Sequence, residues 1–212
     1  MDPGRCRSSR RARRKLSDAC TSVPRMKAEL QQYLQDTRAL MLAKLDGLSE
    51  YDRRRPLVPS GTNLLGLVKH LVGIEYVYLG TSVGRPPPKP LPWEEDGTVW
   101  GGGDMWALPS ESTEYLTGLY RDACAHSDRS IAELDLDTPA EVPHWPEGGR
   151  STTFGALLVR VVDETAHHAG HADIVRELID GQGGSDAGHM DEAGWSEYYA
   201  TIQRAAEAFL TD

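Results

Sequence analysis

Hydrophobic positions recur with helical spacing in four long segments of the chain. The segments cover about residues 26–48, 62–80, 110–134 and 152–179, and apolar residues three or four positions apart lie on one face of a helix. A fifth amphipathic segment, residues 190–210, follows a glycine-rich stretch. No stretch has the clear period-two alternation of a half-buried strand. The pattern predicts an all-α chain, a four-helix bundle with long loops and an additional C-terminal helix.

Long loops separate the second, third and fourth predicted helices. Residues 80–109 carry several prolines, three successive glycines and three tryptophans, and the later loop carries His144 and Trp145. A loop as long as the first is usually functional or mobile in a small domain. We expect these loops either to close over a substrate or to latch onto the bundle through their aromatic side chains.

The fourth predicted helix has polar groups in the middle of its apolar face. Steps of three and four give Phe154, Leu157, Val161, Glu164, His168, His171, Val175 and Leu178. Burying a polar group without a partner costs on the order of 2–7 kcal/mol, so the carboxylate and the two imidazoles need partners. One divalent metal ion would satisfy all three.

The second predicted helix adds an imidazole, His70, to an otherwise apolar stripe. Four-helix bundles build metal sites from inward side chains on facing helices, and Glu164 and His168 have the i, i+4 spacing that suits binding from consecutive turns. Three nitrogen and oxygen ligands with an open position are typical of a catalytic site. We place His167 on the flank of the helix; with a different helical phase, His167 and His171 become the competing i, i+4 pair.

Charge divides the chain into two parts. Residues 1–25 carry eight Lys and Arg against two Asp, a net charge of +6, which leaves −15 on the remainder of a chain whose total is −9. An acidic body is a poor partner for nucleic-acid phosphates. We expect a disordered basic arm over residues 1–25 and a helical bundle domain over residues 26–212, without nucleic acid bound to the folded domain.

Hydropathy gives the expected compartment. No apolar run approaches the roughly 18–20 residues that cross a bilayer, and the N-terminus lacks the hydrophobic core of a secretory signal. We therefore expect a cytoplasmic protein with no membrane partner.

Two segments of the chain resemble the DinB superfamily. They are MLAKLDGLSEYDRRRPLVPSGTNLLGLVKHLVGIEYVYLG and VVDETAHHAGHADIVRELIDG, and they are most similar to its branch of mycothiol-dependent enzymes, over about residues 28–182. Members are four-helix bundles that hold one divalent metal ion, commonly zinc or nickel, and they are often dimeric. The resemblance implies His70, Glu164 and His168 as the metal ligands and makes a homodimer a candidate assembly.

The resemblance also implies a function. We expect a metal-dependent enzyme that transfers a low-molecular-weight thiol, such as mycothiol, to an electrophilic small molecule, or that uses the thiol to assist an isomerisation. His171 is the candidate catalytic proton carrier, and the roles of fourth ligand or hydrogen-bond partner of a ligand stay open for it. Two other functions stay open: a hydrolase in which metal-bound water replaces the thiol, and a non-catalytic, metal-stabilised binding module of a stress response.

Overall fold

The computed structural model describes the backbone of residues 8–181 and 190–210, and the side chains of residues 23–181 and 190–210. Within these residues the chain forms seven α-helices: α1 (Ser8–Ala43), α2 (Glu50–Arg54), α3 (Leu64–Tyr78), α4 (Pro92–Glu95), α5 (Thr113–Glu133), α6 (Phe154–Asp180) and α7 (Glu192–Glu207). Two short strands, β1 (Pro139–Glu141) and β2 (Ser151–Thr153), pair antiparallel with Ala140 opposite Thr152. The prediction of an all-α chain with an additional C-terminal helix is confirmed.

The four long helices α1, α3, α5 and α6 form the bundle. Helix α3 packs most extensively against α5, and α1 against α6; contacts between α3 and α6 and between α1 and α5 close the ring. Their inward side chains form two apolar clusters, one around Leu71 and Tyr120 and the other around Leu34 and Phe154. Burial of this apolar surface supplies most of the free energy that holds the helices together.

Side-chain caps fix where the bundle helices begin. The carboxamide oxygen of Asn63 accepts a hydrogen bond from the backbone N–H of Gly66 at 2.8 Å, so α3 begins at Leu64. Ser60 and Thr62, two nearby residues of a type that often caps helices, bond to each other through their hydroxyls instead. Asn63 is preferred because its Nδ2 also donates to the carbonyl of Met105 and so ties the helix start to the long loop.

The first helix differs from its predicted limits. Helix α1 begins at Ser8 and ends at Ala43, whereas the pattern predicted a helix over 26–48. Ser49, which directly follows the predicted range, caps the short helix α2, with its hydroxyl accepting from the N–H of Asp52. The division into a disordered arm over residues 1–25 and a domain over 26–212 stays a prediction.

A buried ion pair joins three helices of the bundle. Arg38 on α1 donates two hydrogen bonds to Glu75 on α3, at 2.7 Å and 2.6 Å, and a third to Asp128 on α5 at 2.8 Å. Arg38 is 5% exposed and Glu75 is fully buried. The bidentate geometry compensates the cost of taking both charges out of water.

Helix α7 is amphipathic but buries none of its described side chains. Its aromatic positions Trp195, Tyr198 and Tyr199 are all partly or fully exposed. The sequence predicted that this segment packs on the bundle or on a partner subunit; the first alternative is not supported by burial, and the second stays a prediction. Among the described helices, none combines the length and apolar character that a bilayer crossing requires.

Candidate metal centre

Three candidate metal-binding side chains come together between two helices: an imidazole on α3, and a carboxylate and an imidazole on α6. His70 lies in the middle of α3, and Glu164 and His168 lie one turn apart on α6. One ligand atom from each of these three side chains lies within 4.8 Å of the other two. Among the described residues, this is the one group of three or more His, Cys, Asp or Glu side chains that comes together so closely.

The spacing of these atoms fits one divalent ion. Nε2 of His70 lies 3.6 Å and Nε2 of His168 lies 3.4 Å from Oε1 of Glu164. These distances are longer than an optimal hydrogen bond of about 2.9–3.0 Å. They are close to the separation of about 3.3–3.4 Å between two ligands bonded tetrahedrally to one ion at about 2.0–2.1 Å. Two nitrogens and one oxygen suit zinc and similar ions and leave a fourth position open.

The protonation state of His168 also suits a metal-binding role. Burial, helped by the nearby His70, lowers the pKa of His168 to about 4, although the negative charge of Glu164 acts in the opposite direction. The imidazole is therefore neutral near pH 7 and offers a lone pair. Because only the neutral form binds a metal ion, no proton has to be displaced from this ring.

Asp104 orients His70, and sequence reasoning missed it. Its Oδ2 lies 2.7 Å from Nδ1 of His70, and Asp104 is buried. The carboxylate accepts the Nδ1 hydrogen, so the lone pair is on Nε2, the atom that faces Glu164. Such a carboxylate contact fixes the tautomer and ring orientation of a ligating histidine and raises its basicity.

Glycines allow the loop that carries Asp104 to approach α3. A Cβ on Gly66 would overlap the carbonyl oxygen of Met105, and a Cβ on Gly103 would lie 2.6 Å from the hydroxyl oxygen of Thr98. Gly102 adopts a left-handed conformation with φ of +79°, which favours glycine. The run of three glycines is thus a close-packed turn that positions Asp104. The one available signal was a carboxylate directly after that run.

His171 is not part of the converging group. It is exposed, and its Nδ1 lies 3.4 Å from Nδ1 of His168. His167 is exposed too, with its ring centre 4.5 Å from that of His171. The competing ligand pair, His167 and His171, therefore lies on the outer side of the helix, and the predicted phase is supported at His168.

Towards the C-terminal end of α6, the buried face of the helix departs from the predicted apolar stripe. Phe154, Leu157 and Val161 are buried as expected, but Leu178 is 54% exposed. The buried positions include Leu158, Thr165, Ala169 and Ala172. Over seven turns, alternating steps of three and four drift from the true period of 3.6 residues. The metal-ligand candidates consequently lie at the edge of the buried stripe, where a small molecule can reach them.

A cavity of about 390 Å³ opens beside His70. It runs along α3 past Gly73, Ile74 and Val77 and is closed on the other side by residues of both long loops, among them Trp100 and His144. The volume is that of a small-ligand pocket.

The three loop tryptophans have different environments. Trp93 is 2% exposed and packs in the core, where the ammonium group of Lys69 lies 4.6 Å from its ring centre. Trp100 is 76% exposed and lines the cavity, whereas Trp106 is half exposed. Trp93 thus holds the loop against the bundle, as one of the two expectations had it. Trp100 forms part of the cavity wall, and closure over a substrate stays a prediction.

A carboxylate also borders this cavity. Glu94 on α4 lines it next to Trp93, and burial, together with the charge of Asp104, raises the pKa of Glu94. The cavity wall thus contains carboxyl groups, Glu94 and Asp104, beside its aromatic rings.

Comparison with known proteins gives one match. The model of the family described as MST, mycothiol-S-transferase, matches residues 29–181. That range contains the whole bundle core from α3 to α6, all three converging side chains and both loops that form the cavity. No curated protein matches the chain.

Proposed function

Because this chain belongs to the mycothiol-S-transferase family, we propose that it is a metal-dependent enzyme that transfers a low-molecular-weight thiol to an electrophilic small molecule. Mycothiol is the proposed thiol, on the strength of the family's description. The resident ion is proposed to be divalent, zinc or nickel, because nitrogen and oxygen ligands in this number suit both.

One observation carries the proposal: the ligand atoms of His70, Glu164 and His168 lie within 4.8 Å of one another, and His70 lines a small-molecule cavity. We propose that these three side chains hold the ion. Asp104 keeps Nε2 of His70 free to bind. A divalent ion bound there would lower the pKa of a thiol that joins it, from about 8.5 to well below neutral.

The chain's own residues perform the remaining tasks. The aromatic and aliphatic wall of the cavity excludes water from the reacting sulfur and holds the electrophile against it. The sulfur then forms a bond to the electrophilic carbon, and the leaving group departs with the electron pair of the bond that breaks. The thiol proton passes to solvent or to a basic side chain.

The position of His171 favours one of its open roles. With Nε2 of His168 as a ligand, the Nδ1 hydrogen of His168 points at Nδ1 of His171, 3.4 Å away. We propose that His171 orients His168 through this contact. The predicted role of catalytic proton carrier stays a prediction.

The test combines metal analysis with thiol turnover. Purified protein should carry about one equivalent of divalent metal, and His168→Ala should lose it while the neighbouring His167→Ala keeps it. The loaded protein should consume mycothiol together with an electrophilic probe such as monobromobimane, faster than the uncatalysed reaction. Product formation without any thiol would indicate a hydrolase instead, and protein with no affinity for divalent metals would refute the proposal.

The homodimer is proposed to involve α7. Its exposed Trp195, Tyr198 and Tyr199 would bury apolar area against a second copy. Sedimentation velocity of the full chain should then give a dimer mass that Tyr199→Glu reduces to a monomer, and a monomeric wild type would contradict it.

A further inference from the structure

Arg160, an exposed residue of α6, lies against two aromatic rings, one of which belongs to the cavity wall. Its Cζ atom is 5.0 Å from the ring centre of Tyr78 and 5.4 Å from that of Trp145. Stacking on aromatic faces is a typical environment for a guanidinium group and restricts its rotamers without using its N–H donors. The group is thus held in place with its hydrogen-bonding capacity left over.

No carboxylate uses this capacity. Arg38, Arg85 and Arg176 each have a carboxylate oxygen within 2.9 Å. Among the residues that the structure describes, none forms an ion pair or hydrogen bond with Arg160, although residues 26–212 carry a large excess of acidic groups. The nearby imidazole of His144 has its pKa lowered by burial and by the charge of Arg160. His144 is therefore neutral near pH 7 and adds no competing charge.

The position of Arg160 relates it to the metal-ligand candidates. It precedes Glu164 by four residues and His168 by eight, so all three lie on one side of α6, and a rise of 1.5 Å per residue puts Arg160 about 6 Å along the axis from Glu164. Tyr78, on which the guanidinium stacks, lines the cavity. An anionic group on a molecule that occupies the cavity can thus reach Arg160.

We infer that Arg160, held by Tyr78 and Trp145, is an anion-binding subsite that recognises a carboxylate on one of the two reactants. A guanidinium donates two parallel hydrogen bonds to a carboxylate, and rings that hold it in advance reduce the entropy lost on binding. The inference rests on the proposed function in that it assigns the carboxylate to a molecule of that reaction. The carboxylate belongs either to the thiol or to the electrophile.

Binding to the metal-free full chain tests this subsite without turnover. The probes are two matched pairs, N-acetylcysteine against N-acetylcysteamine, and phenylacetate against phenylacetamide; in each pair only the first member carries a carboxylate. Binding is measured at low ionic strength, where charge interactions are least screened, through the indole N–H signals in nitrogen-15 correlation spectra. A preference in the first pair assigns the carboxylate to a thiol other than mycothiol, whose cysteine carboxyl is bound in an amide. A preference in the second pair alone assigns the carboxylate to the electrophile.

We expect wild type to prefer the carboxylate member of at least one pair by about fivefold or more, the range of a favourable, partly exposed charge-assisted contact. In Arg160→Gln the preference should fall below about twofold. Arg160→Lys keeps the charge but loses the two-pronged geometry, so an intermediate preference is expected. Arg121→Gln changes an exposed arginine on α5 that contacts neither Tyr78 nor Trp145; it is the matched control and should behave as wild type.

Three results would overturn the inference: no carboxylate preference in either pair, no binding of any probe, or a preference that survives in both Arg160 variants. None of them bears on the transferase proposal, because no metal and no turnover are involved. Conversely, a chain that binds no metal but keeps an Arg160-dependent preference would refute the transferase and leave the subsite standing.

Discussion

Replacing Asp104 with asparagine removes one negative charge from the contact that orients His70. The Oδ2 atom of Asp104 lies 2.7 Å from Nδ1 of His70, and the side chain is 7% exposed. Water therefore cannot replace the lost interaction without rearrangement of the loop. The asparagine oxygen still accepts the Nδ1 hydrogen, so the tautomer is kept, but the basicity of the imidazole falls.

The size of the effect follows from that geometry. Loss of a carboxylate behind a ligating histidine weakens metal binding by about 10–100-fold. We expect Asp104→Asn to weaken metal binding by about tenfold, because the hydrogen bond survives. Asp104→Ala should weaken it by about 100-fold, because Nδ1 then has no acceptor and the ring is free to rotate. The two variants thus separate the charge from the hydrogen bond.

The assay is a competition between the protein and a fluorescent zinc chelator of known affinity. Asp122→Asn, an exposed aspartate on α5, is the matched control for the change in net charge and should bind zinc like wild type. The reasoning is refuted if Asp104→Ala binds zinc as tightly as wild type while retaining its fold by circular dichroism. If the two Asp104 variants lose zinc affinity equally, the separate contribution of the hydrogen bond is refuted.

Three further predictions concern stability and loop packing. The metal-free protein should lose stability as the pH falls from about 6.5 towards about 4, because burial lowers the pKa of His168 to about 4 and the unfolded chain then binds a proton that the native ring does not; urea unfolding across that range measures this. Arg38→Ala leaves the fully buried carboxylate of Glu75 without its partner and should reduce the free energy of unfolding by about 3–5 kcal/mol, as read from urea midpoints. Gly66→Ala forces the loop off α3 and should lower both the unfolding free energy, by about 1–3 kcal/mol, and zinc affinity in the chelator assay.

Each of these has its own control. For the pH effect, His168→Phe removes the titrating group and should flatten the profile, and an unchanged profile would contradict the cause given. For the buried pair, Arg121→Ala should change stability by less than about 0.5 kcal/mol. For the loop, Gly170→Ala on α6 has open space around its Cβ and should be neutral or slightly stabilising; a Gly66→Ala protein that binds zinc normally would contradict the packing argument.

Hydrophobic periodicity alone determined the class of fold and the number of long helices. The sequence was enough for this because helix formation and burial follow the local spacing of apolar residues, which can be read directly from the chain. The ligand candidates were accessible for the same reason: Glu164 and His168 are one turn apart, and polar groups in an apolar stripe need partners. Placing His70 with them required both the bundle geometry and the resemblance to the DinB superfamily.

Only the tertiary structure decided which long-range neighbours meet. Asp104 and His70 are separated by 34 residues and by a loop whose path depends on close packing of Gly66 and Gly103, so no local spacing relates them. The helical phase of α6 beyond His168 was also decided by packing, which left His171 exposed. Periodic patterns specify a face of a helix, whereas contacts between a loop and a helix depend on shape and close packing, and these arise only when the whole chain has folded.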